Sequence, residues 1–237
     1  MQKKELLYEG KAKKVYRTTD PQVYIVSYKD DVTARNGLQR GIVVGKGTLS
    51  NRLSNRLFQL LEAQGIPTHF VQEWSDRETV VKKVEMIPLE VIVRNVAAGS
   101  LSKRLGFPEG TVLEQPVLEF RYKNDQLGDP MVNASHISAL HVAAQEELEH
   151  MARLSLQANQ ILREFFASVQ VDLIDFKLEF GRTPEGSLLV ADEISLDTCR
   201  LWDSETHEKL DKDRLVQDLG GAQEAYGNMR RRLGFPQ

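Results

Sequence analysis

The chain has 237 residues, enough for one large domain or two small ones. Its formal net charge of −3 lacks the positive excess that non-specific nucleic-acid binding requires, so we expect no nucleic-acid partner. The single cysteine, Cys199, rules out an intramolecular disulfide and a thiolate metal cluster, and it favours a reducing cytoplasmic setting.

The hydropathy of the chain gives no sign of a membrane. No apolar run approaches the roughly 18 residues that a membrane-spanning helix needs. The first residues lack the apolar core of a signal peptide. We therefore expect a soluble, cytoplasmic protein with no membrane partner.

The first third of the chain is predicted to form short strands. Runs rich in β-forming residues occur at 5–9, 14–18 and 23–28, and turn-forming residues separate them. Strands spaced this closely predict an antiparallel meander. The polar, glycine-containing stretch 29–46 is predicted to be a long surface loop, and long loops inside compact domains are often functional.

A helix is predicted next, over residues 48–63. Its apolar positions follow helical spacing, with leucines at 53, 57, 60 and 61, and Gly65 is placed to end it. Strands are then predicted at 68–72, 78–84 and 90–96. Residues 101–130 are predicted to be irregular apart from one strand at 117–122.

The remaining elements complete an α+β pattern. A long helix is predicted at 143–169, with Leu148, Met151, Ile161, Leu162 and Phe165 on its buried face. A hairpin follows, and then helical segments after residue 211 and at 222–233. We expect a two-lobed α+β protein: an N-terminal antiparallel sheet lobe (1–87) and a mixed C-terminal lobe (88–237), with a ligand cleft between them.

The hairpin at 175–193 contains the most informative charge pattern. Side chains alternate along a strand, so Asp175, Lys177 and Glu179 share one face. A two-residue loop at 185–186 would pair Glu179 with Asp192, and two facing carboxylates repel unless a cation lies between them. Hard cations such as Mg²⁺ take carboxylate oxygens. The alternative is a solvated strand face on which Lys177 offsets the acids, and the pattern leaves both open.

Two segments have features of a nucleotide site. Gly10 lies in a predicted turn with Lys11, Lys13 and Lys14, where glycine permits close backbone approach and lysines can meet phosphates. A strand at 81–88 would offer backbone groups to a purine edge. Each segment has an ordinary alternative: a surface hairpin with lysines, and a plain strand end.

Arg94 lies in an otherwise apolar strand, which is unusual because buried arginines are rare unless they are paired. It is suited to bidentate binding of a carboxylate or phosphate, and the small residues 97–100 would leave room for such an anion. An internal pair with Glu90 is the alternative. Arg200 follows Asp192 closely enough to face the same cleft.

Together these segments resemble one family, the SAICAR synthetases (phosphoribosylaminoimidazole-succinocarboxamide synthases). The resemblance runs from Gly10 to Gly234, and residues 90–101, 175–181 and 192–203 are its most specific motifs. It implies an ATP-grasp or kinase-like fold. It also implies a ligase that joins the imidazole carboxylate nucleotide CAIR to L-aspartate, using ATP and Mg²⁺, to form SAICAR, ADP and phosphate in purine biosynthesis. Bacterial members are usually homodimers.

The resemblance also implies roles for individual residues. Nucleotide binding falls to Gly10, Lys11, Lys13, Val15, Lys82, Val84, Glu85, Met86 and Lys123. Substrate binding falls to Arg94, Ser100 and Arg200, and metal binding to Glu179 and Asp192. Lys177 and Asp175 are the expected catalytic residues, beside an acyl phosphate formed from CAIR.

Two other functions remain possible from the sequence. A small-molecule kinase would share the nucleotide residues but would pass the phosphoryl group to a hydroxyl. A non-catalytic nucleotide sensor would bind ATP without turnover. The sequence does not identify the residues that select L-aspartate.

Overall fold

The computed structural model describes residues 1–34, 39–216 and 219–235, which form the following elements. The strands are β1 (Lys3–Glu9), β2 (Lys13–Thr18), β3 (Val23–Tyr28), β4 (Asp31–Ala34), β5 (Gln39–Ile42), β6 (Phe70–Ser75), β7 (Glu78–Lys82), β8 (Glu85–Val96), β9 (Val112–Tyr122), β10 (Met131–Val132), β11 (Val171–Arg182), β12 (Leu188–Ala191) and β13 (Cys199–Asp203). The helices are α1 (Lys46–Ala63), α2 (Gly99–Leu105), α3 (Ala134–Ala139), α4 (Gln145–Ala167) and α5 (Leu219–Arg232), with 3-10 helices at Asp125–Leu127 and Lys212–Val216.

The strands form two antiparallel sheets and a small hairpin. The first sheet has the order β1-β2-β3-β7-β6, which confirms the predicted N-terminal meander. The second has the order β10-β9-β8-β11-β12, and β13 pairs with the first half of β11. The sheets meet where Thr68 bridges Val190 in parallel, because the Val190 N–H donates to the Pro67 carbonyl over 3.0 Å.

Helix α4 packs on β8 and β11 of the second sheet, α1 packs on β3, β6 and β7 of the first, and both helices share one apolar core. Leu53, Leu57 and Leu61 of α1 are fully buried, and each contributes about 1.5–3 kcal/mol by leaving water. α1 ends where predicted: Gly65 takes a left-handed φ of 82° and its N–H donates to the Glu62 carbonyl. The same core includes residues from β4 through the end of α5.

The predicted buried face of α4 is largely correct. Leu148, Met151 and Leu162 are buried, whereas Ile161 and Phe165 are half-buried and pack at the margin of the core. The helix begins at Gln145, where the Ala144 N–H donates to the Glu147 carboxylate over 2.9 Å.

Several predicted elements were wrong. The stretch 29–46 is not a long loop, since its described part forms the β4–β5 hairpin with Val32 buried in the core; residues 35–38 lie outside the described ranges. The stretch 101–130 is more regular than expected, because it contains part of α2 and a β9 longer than the predicted strand. The helical segment expected after Asp211 is present as a 3-10 helix over Lys212–Val216.

The boundary predicted between residues 87 and 88 falls inside β8, which continues without a break from Glu85 to Val96. The two-lobe division therefore concerns how the sheets pack, and it remains a prediction. Ile87 and Leu89, on either side of that boundary, are both buried in the common core.

The register of the β11–β12 hairpin differs from the prediction by one residue. Glu179 lies opposite Ala191, not opposite Asp192. The loop contains three residues instead of two, since the Thr183 N–H donates to the Ser187 carbonyl over 2.9 Å. Asp192 comes directly after the strand and takes a left-handed φ of 63°, so it leaves the ladder altogether.

Candidate active site

A cleft of about 440 Å³ opens over one face of the second sheet. Strands β8, β11 and β13 contribute to its lining, together with the turn before β2, the segment after β12 and the 3-10 helix at 212–216. Of the residues predicted from the sequence, the cleft is lined by Lys11, Arg94, Ser100, Asp175, Lys177, Asp192 and Arg200. All of the predicted catalytic and substrate-binding residues therefore meet in one place.

The sheet register places an aspartate between two arginines. Asp175 on β11 lies opposite Arg94 on β8 and opposite Arg200 on β13. Its Oδ2 accepts from Arg94 Nη1 and from Arg200 Nη1, each over 2.9 Å. Asp175 and Arg94 are buried, so this row fixes both guanidinium groups on the cleft wall.

Arg94 has further partners. Its Nε donates to Glu119 Oε2 over 2.6 Å, and its Nη2 donates to Ser100 Oγ over 3.0 Å. The internal pair with Glu90, which the sequence left open, is absent from the hydrogen bonds of the described residues. Gly99 lies next to Ser100 with φ 54°, and a Cβ there would lie 2.8 Å from Arg200 Nη2. The small turn therefore makes room for Arg200.

A second row holds carboxylates around Lys177. Glu179 lies opposite Glu90 across β11 and β8, and Lys177 donates to both, over 2.8 Å and 2.6 Å respectively. Lys123 donates to the other oxygen of Glu179 over 2.5 Å. Burial opposes the charged form of Lys177, but the carboxylates of Glu179, Asp192 and Glu90 outweigh it and raise the pKa of this ammonium. Lys177 therefore stays protonated at neutral pH.

Lys13 and the acids after β12 form the third group. Lys13 Nζ lies 2.5 Å from Asp192 Oδ1 and 3.4 Å from Glu193 Oε1. Burial raises the pKa of Asp192, but the charges of Lys13, Lys177 and Lys123 outweigh it and hold that pKa well below its ordinary value. Asp192 is therefore ionised. Lys177 and Lys123, which donate to Glu179, also act on Asp192 through their charge, although the two carboxylates do not pair across the hairpin.

The remaining predicted nucleotide residues lie on β2 and around the junction of β7 and β8. The Gly10 N–H donates to the Lys13 carbonyl over 2.9 Å and closes the turn, while Lys11 is mostly exposed. Val15 packs beside Tyr28 and Val81. β3 separates β2 from β7 in the first sheet.

The segment between β7 and β8 is more exposed. Lys82 Nζ donates to the Thr68 carbonyl over 3.2 Å. Val84 packs against Gly181, whereas Glu85 and Met86 are exposed at the start of β8.

Comparison with known proteins identifies the family. A model of the SAICAR synthetase family matches residues 6–233. The chain belongs to the SAICAR synthetase family. It is 58% identical over 234 residues to the phosphoribosylaminoimidazole-succinocarboxamide synthase of Coprothermobacter proteolyticus, covering 99% of both chains, and 54% identical to that of Bacillus cereus, covering 99% of this chain and 98% of the relative.

Solved structures of SAICAR synthetases have the same fold. The enzyme from Ehrlichia chaffeensis matches with a TM-score of 0.94 at 44% identity, covering 98% of this chain and 100% of that one. A SAICAR synthetase in complex with ADP matches with the same TM-score, identity and coverage. The Saccharomyces cerevisiae enzyme in complex with SAICAR, at 20% identity and a TM-score of 0.77, shares the fold. The expected α+β, ATP-grasp-like architecture is therefore confirmed.

Two carboxylates of the site suit a hard divalent cation. Mg²⁺ is usually held by one or two carboxylates together with substrate phosphates. Asp192 lines the cleft and Glu179 is buried beside Lys177, and lysine ammonium groups neutralise both carboxylates. Within residues 1–34, 39–216 and 219–235, no cluster of three or more acidic, histidine or cysteine side chains forms a complete metal cage. The donor set fits Mg²⁺ arriving with a nucleotide.

Sequence reasoning missed several residues of this site. Glu119 and Asp213 hold Arg94 and Arg200, and Glu193 contacts Lys13. Glu119 lies on β9 between Leu118 and Phe120, so the alternation of charged and apolar residues was an available signal for it. For Lys46, which is 1% exposed, the sequence contains no such signal, because this residue comes just before an ordinary helical pattern.

Asp211 is a further buried acid behind the cleft. Its oxygens accept the N–H groups of Leu201 and Asp213 over 2.8 Å and 2.7 Å. Burial, and then the nearby charge of Asp213, raise the pKa of Asp211 to about 7.

None of the helices in the described part of the chain is long and apolar enough to cross a membrane.

Proposed function

We propose that this protein is an ATP-dependent ligase that joins CAIR to L-aspartate, giving SAICAR, ADP and phosphate in purine biosynthesis. Membership of the SAICAR synthetase family supports the reaction. The observation that carries it is the row Arg94–Asp175–Arg200 lying next to Lys177 in the same cleft. An anion-binding pair and a lysine-neutralised acid cluster are what a phosphoryl transfer to a nucleotide carboxylate needs.

The nucleotide would lie between β2 and the start of β8. The ADP bound to a relative supports ATP as the cosubstrate. We assign the phosphates to the turn at Gly10 with Lys11, Lys13 and Lys123. We assign the adenine to the extended or apolar surface formed by Val15, Lys82, Val84, Glu85 and Met86.

Glu179 and Asp192 would hold Mg²⁺ that arrives with ATP. When bound, this ion neutralises charge on the phosphate oxygens and orients them for transfer. The chain itself then has to release the lysines that now contact these acids. Lys13 and Lys123 are suited to this exchange, because a phosphate offers each ammonium a replacement for its carboxylate.

CAIR would bind on the arginine side of the cleft. Arg94, Ser100 and Arg200 would bind its phosphate and carboxylate region, since guanidinium groups match both anions bidentately. Asp175 already fixes the two arginines, so little side-chain freedom is lost when the substrate binds.

The chemistry has two steps. A carboxylate is a poor acylating group, so ATP first transfers its γ-phosphoryl group to the CAIR carboxylate, giving an acyl phosphate and ADP. The amine of L-aspartate then attacks the acyl carbon, the C–O bond to phosphate breaks, and the amine loses a proton as the amide forms. Lys177 remains an ammonium throughout, so it stabilises charge on the transferring group and does not act as a base.

The decisive experiment omits one substrate at a time. Purified protein with Mg·ATP, CAIR and L-aspartate should release phosphate, and leaving out any one of the three should abolish the release. A kinase would convert ATP to ADP over many turnovers without L-aspartate, and a nucleotide sensor would bind ATP with no product. Either result would overturn the ligase assignment.

We also propose a cytoplasmic location, a homodimeric state and the two-lobe division at residues 87–88. The buried, unpaired Cys199 is consistent with a reducing compartment. The homodimer rests on the resemblance to bacterial members of the family. Sedimentation equilibrium of the purified protein would test it, and a mass near 26.9 kDa would contradict it.

A further inference from the structure

The positive side chains that line the cleft are not equally neutralised. Five of them have a carboxylate partner within the protein: Lys11 with Asp125, Arg94 with Asp175, Arg121 with Glu90, Lys177 with Glu179, and Arg200 with Asp213. The sixth is Lys212, at the start of the 3-10 helix. No carboxylate of the described residues forms an ion pair with it.

Lys212 is nevertheless held in place. Its Nζ donates to the backbone carbonyl of Asp197, which also lines the cleft. The N–H of Asp197 donates to Ser195 Oγ over 3.1 Å, so this backbone segment is fixed from both sides. A tethered ammonium without a carboxylate partner is a recognition group for an anionic ligand.

A buried lysine, Lys46, contacts the same aspartate whose carbonyl holds Lys212. Lys46 lies 2.5 Å from Asp197 Oδ2, and its Nζ also donates to the Asp31 carbonyl over 2.8 Å. Only 1% of the Lys46 side chain is exposed, so the ammonium loses its hydration. A buried ion pair of this kind contributes little more to the free energy of unfolding than apolar residues of the same size would. Its location suggests a different role, which is to hold Asp197 and β4 against the cleft.

The proposed function limits which anion Lys212 can take. The phosphates of ATP are assigned to Lys11, Lys13 and Lys123, and the anionic groups of CAIR to Arg94 and Arg200. L-aspartate brings two carboxylates, and none of the cations assigned so far is left for them. Resting on the proposed function, we infer that Lys212 binds a carboxylate of L-aspartate, and that Lys46 is a positioning residue that fixes Lys212 through Asp197.

Steady-state kinetics of Lys212→Met test the assignment, because methionine keeps the length of the side chain and removes its charge. Loss of a charge-assisted contact should raise KM for L-aspartate about 10- to 100-fold. KM for ATP and KM for CAIR should stay within about two-fold of the wild-type values. Lys209→Met is the matched control, since Lys209 pairs with Glu109 outside the cleft, and its kinetics should be unchanged.

Succinate gives a second readout, because it has two carboxylates and no amine. Its inhibition constant against L-aspartate should rise in Lys212→Met by about the same factor as KM for L-aspartate. A rise confined to KM for CAIR, or unchanged constants for L-aspartate and succinate, would overturn the inference. Wild-type protein without aspartate-dependent phosphate release would instead overturn the proposed function, and that result is seen before any variant is made.

The positioning role of Lys46 has its own test. Folded Lys46→Met should raise KM for L-aspartate while KM for ATP stays constant, a split that general destabilisation would not produce. If Lys46→Met does not fold, Asp197→Asn breaks the same ion pair and keeps the backbone carbonyl that tethers Lys212. A wild-type KM for L-aspartate in the folded variant would contradict the positioning role.

Discussion

Lys177 lies between two carboxylates that face each other across neighbouring strands. Glu90 and Glu179 would repel at that distance, and a single ammonium bonded to both removes the repulsion. The same contacts keep Lys177 charged and restrict its rotamers, since it donates over 2.6 Å and 2.8 Å. A cation fixed in this way costs little reorganisation when charge develops nearby.

Replacing Lys177 with methionine should lower kcat about 10²- to 10³-fold, because a preorganised cation next to the transferring phosphoryl group is lost. KM for ATP should change only a few-fold, since Lys11, Lys13 and Lys123 remain. Steady-state kinetics with a thermal melt for each variant separate this effect from destabilisation. Lys209→Met removes a lysine that pairs with Glu109 outside the cleft and serves as the control; an unchanged kcat in Lys177→Met would contradict the assigned role.

Asp211 should make stability depend on pH. Its pKa is raised to about 7 in the folded protein from an ordinary 3.8, so the folded state keeps a proton that the unfolded state has lost. The stabilisation is complete below about pH 4 and is lost as the pH rises towards 7. Urea unfolding of wild type and Asp211→Asn checks this: the wild-type free energy of unfolding, relative to the variant, should fall by at least about 1 kcal/mol from pH 5 to 7. A constant difference would contradict it.

At the scale of elements, β11 organises the site because it has neighbours on both sides. Its first half pairs with β8 and β13, so Asp175 meets an arginine from each strand. Its second half pairs with β8 and β12, and the register with β8 shifts between Glu179 and Gly181. This irregularity brings β11 close to the segment proposed to bind adenine.

Gly181 permits that close approach. A Cβ at Gly181 would clash with Val84 Cγ2, and the stiff valine has little room to move. Gly181→Ala should therefore destabilise the protein by about 1–3 kcal/mol and raise KM for ATP. The double variant Gly181→Ala with Val84→Ala should recover most of the stability, as measured by urea unfolding. Equal free energies of unfolding for Gly181→Ala and wild type would contradict a steric clash between residue 181 and Val84.

At the scale of the whole molecule, one cleft gathers residues from distant parts of the sequence. Lys11 and Asp31 come from the first sheet and the β4–β5 hairpin, whereas Lys177, Arg200 and Lys212 come from the last third of the chain. The β8 strand and the core beneath α1 and α4 connect these regions. Ligands that bridge the cleft are therefore expected to stabilise the whole fold.

Thermal melts should show that nucleotide and metal stabilise the protein together. Mg²⁺ alone has to displace lysines from Glu179 and Asp192, so it should shift the melting temperature by less than about 1 °C. Mg·ATP offers those lysines phosphate oxygens, and at 100 times its Kd it should add about 2.7 kcal/mol, a shift of several degrees. ATP with EDTA is the control. A shift with Mg²⁺ alone as large as that with Mg·ATP would contradict this view.

The sequence by itself determined the local features of this protein. Leucine spacing and Gly65 predicted α1, and close turn signals predicted the β1–β2–β3 meander, because both depend on neighbouring residues. Alternation along β11 put Asp175, Lys177 and Glu179 on one face, and the family motifs identified the family. These features depend on periodicities of two or 3.6 residues, which are visible in any short window.

Tertiary structure alone decided which charges meet. On β12, Glu179 faces Ala191 and not Asp192, because one additional loop residue shifts the hairpin register, and on its other side it faces Glu90 of β8. Lys13 reaches Asp192 across 179 positions of sequence, and Lys46 reaches Asp197 from the start of α1. Long-range pairs of this kind depend on how sheets and helices pack, and packing is a property of the assembled core that no local pattern contains.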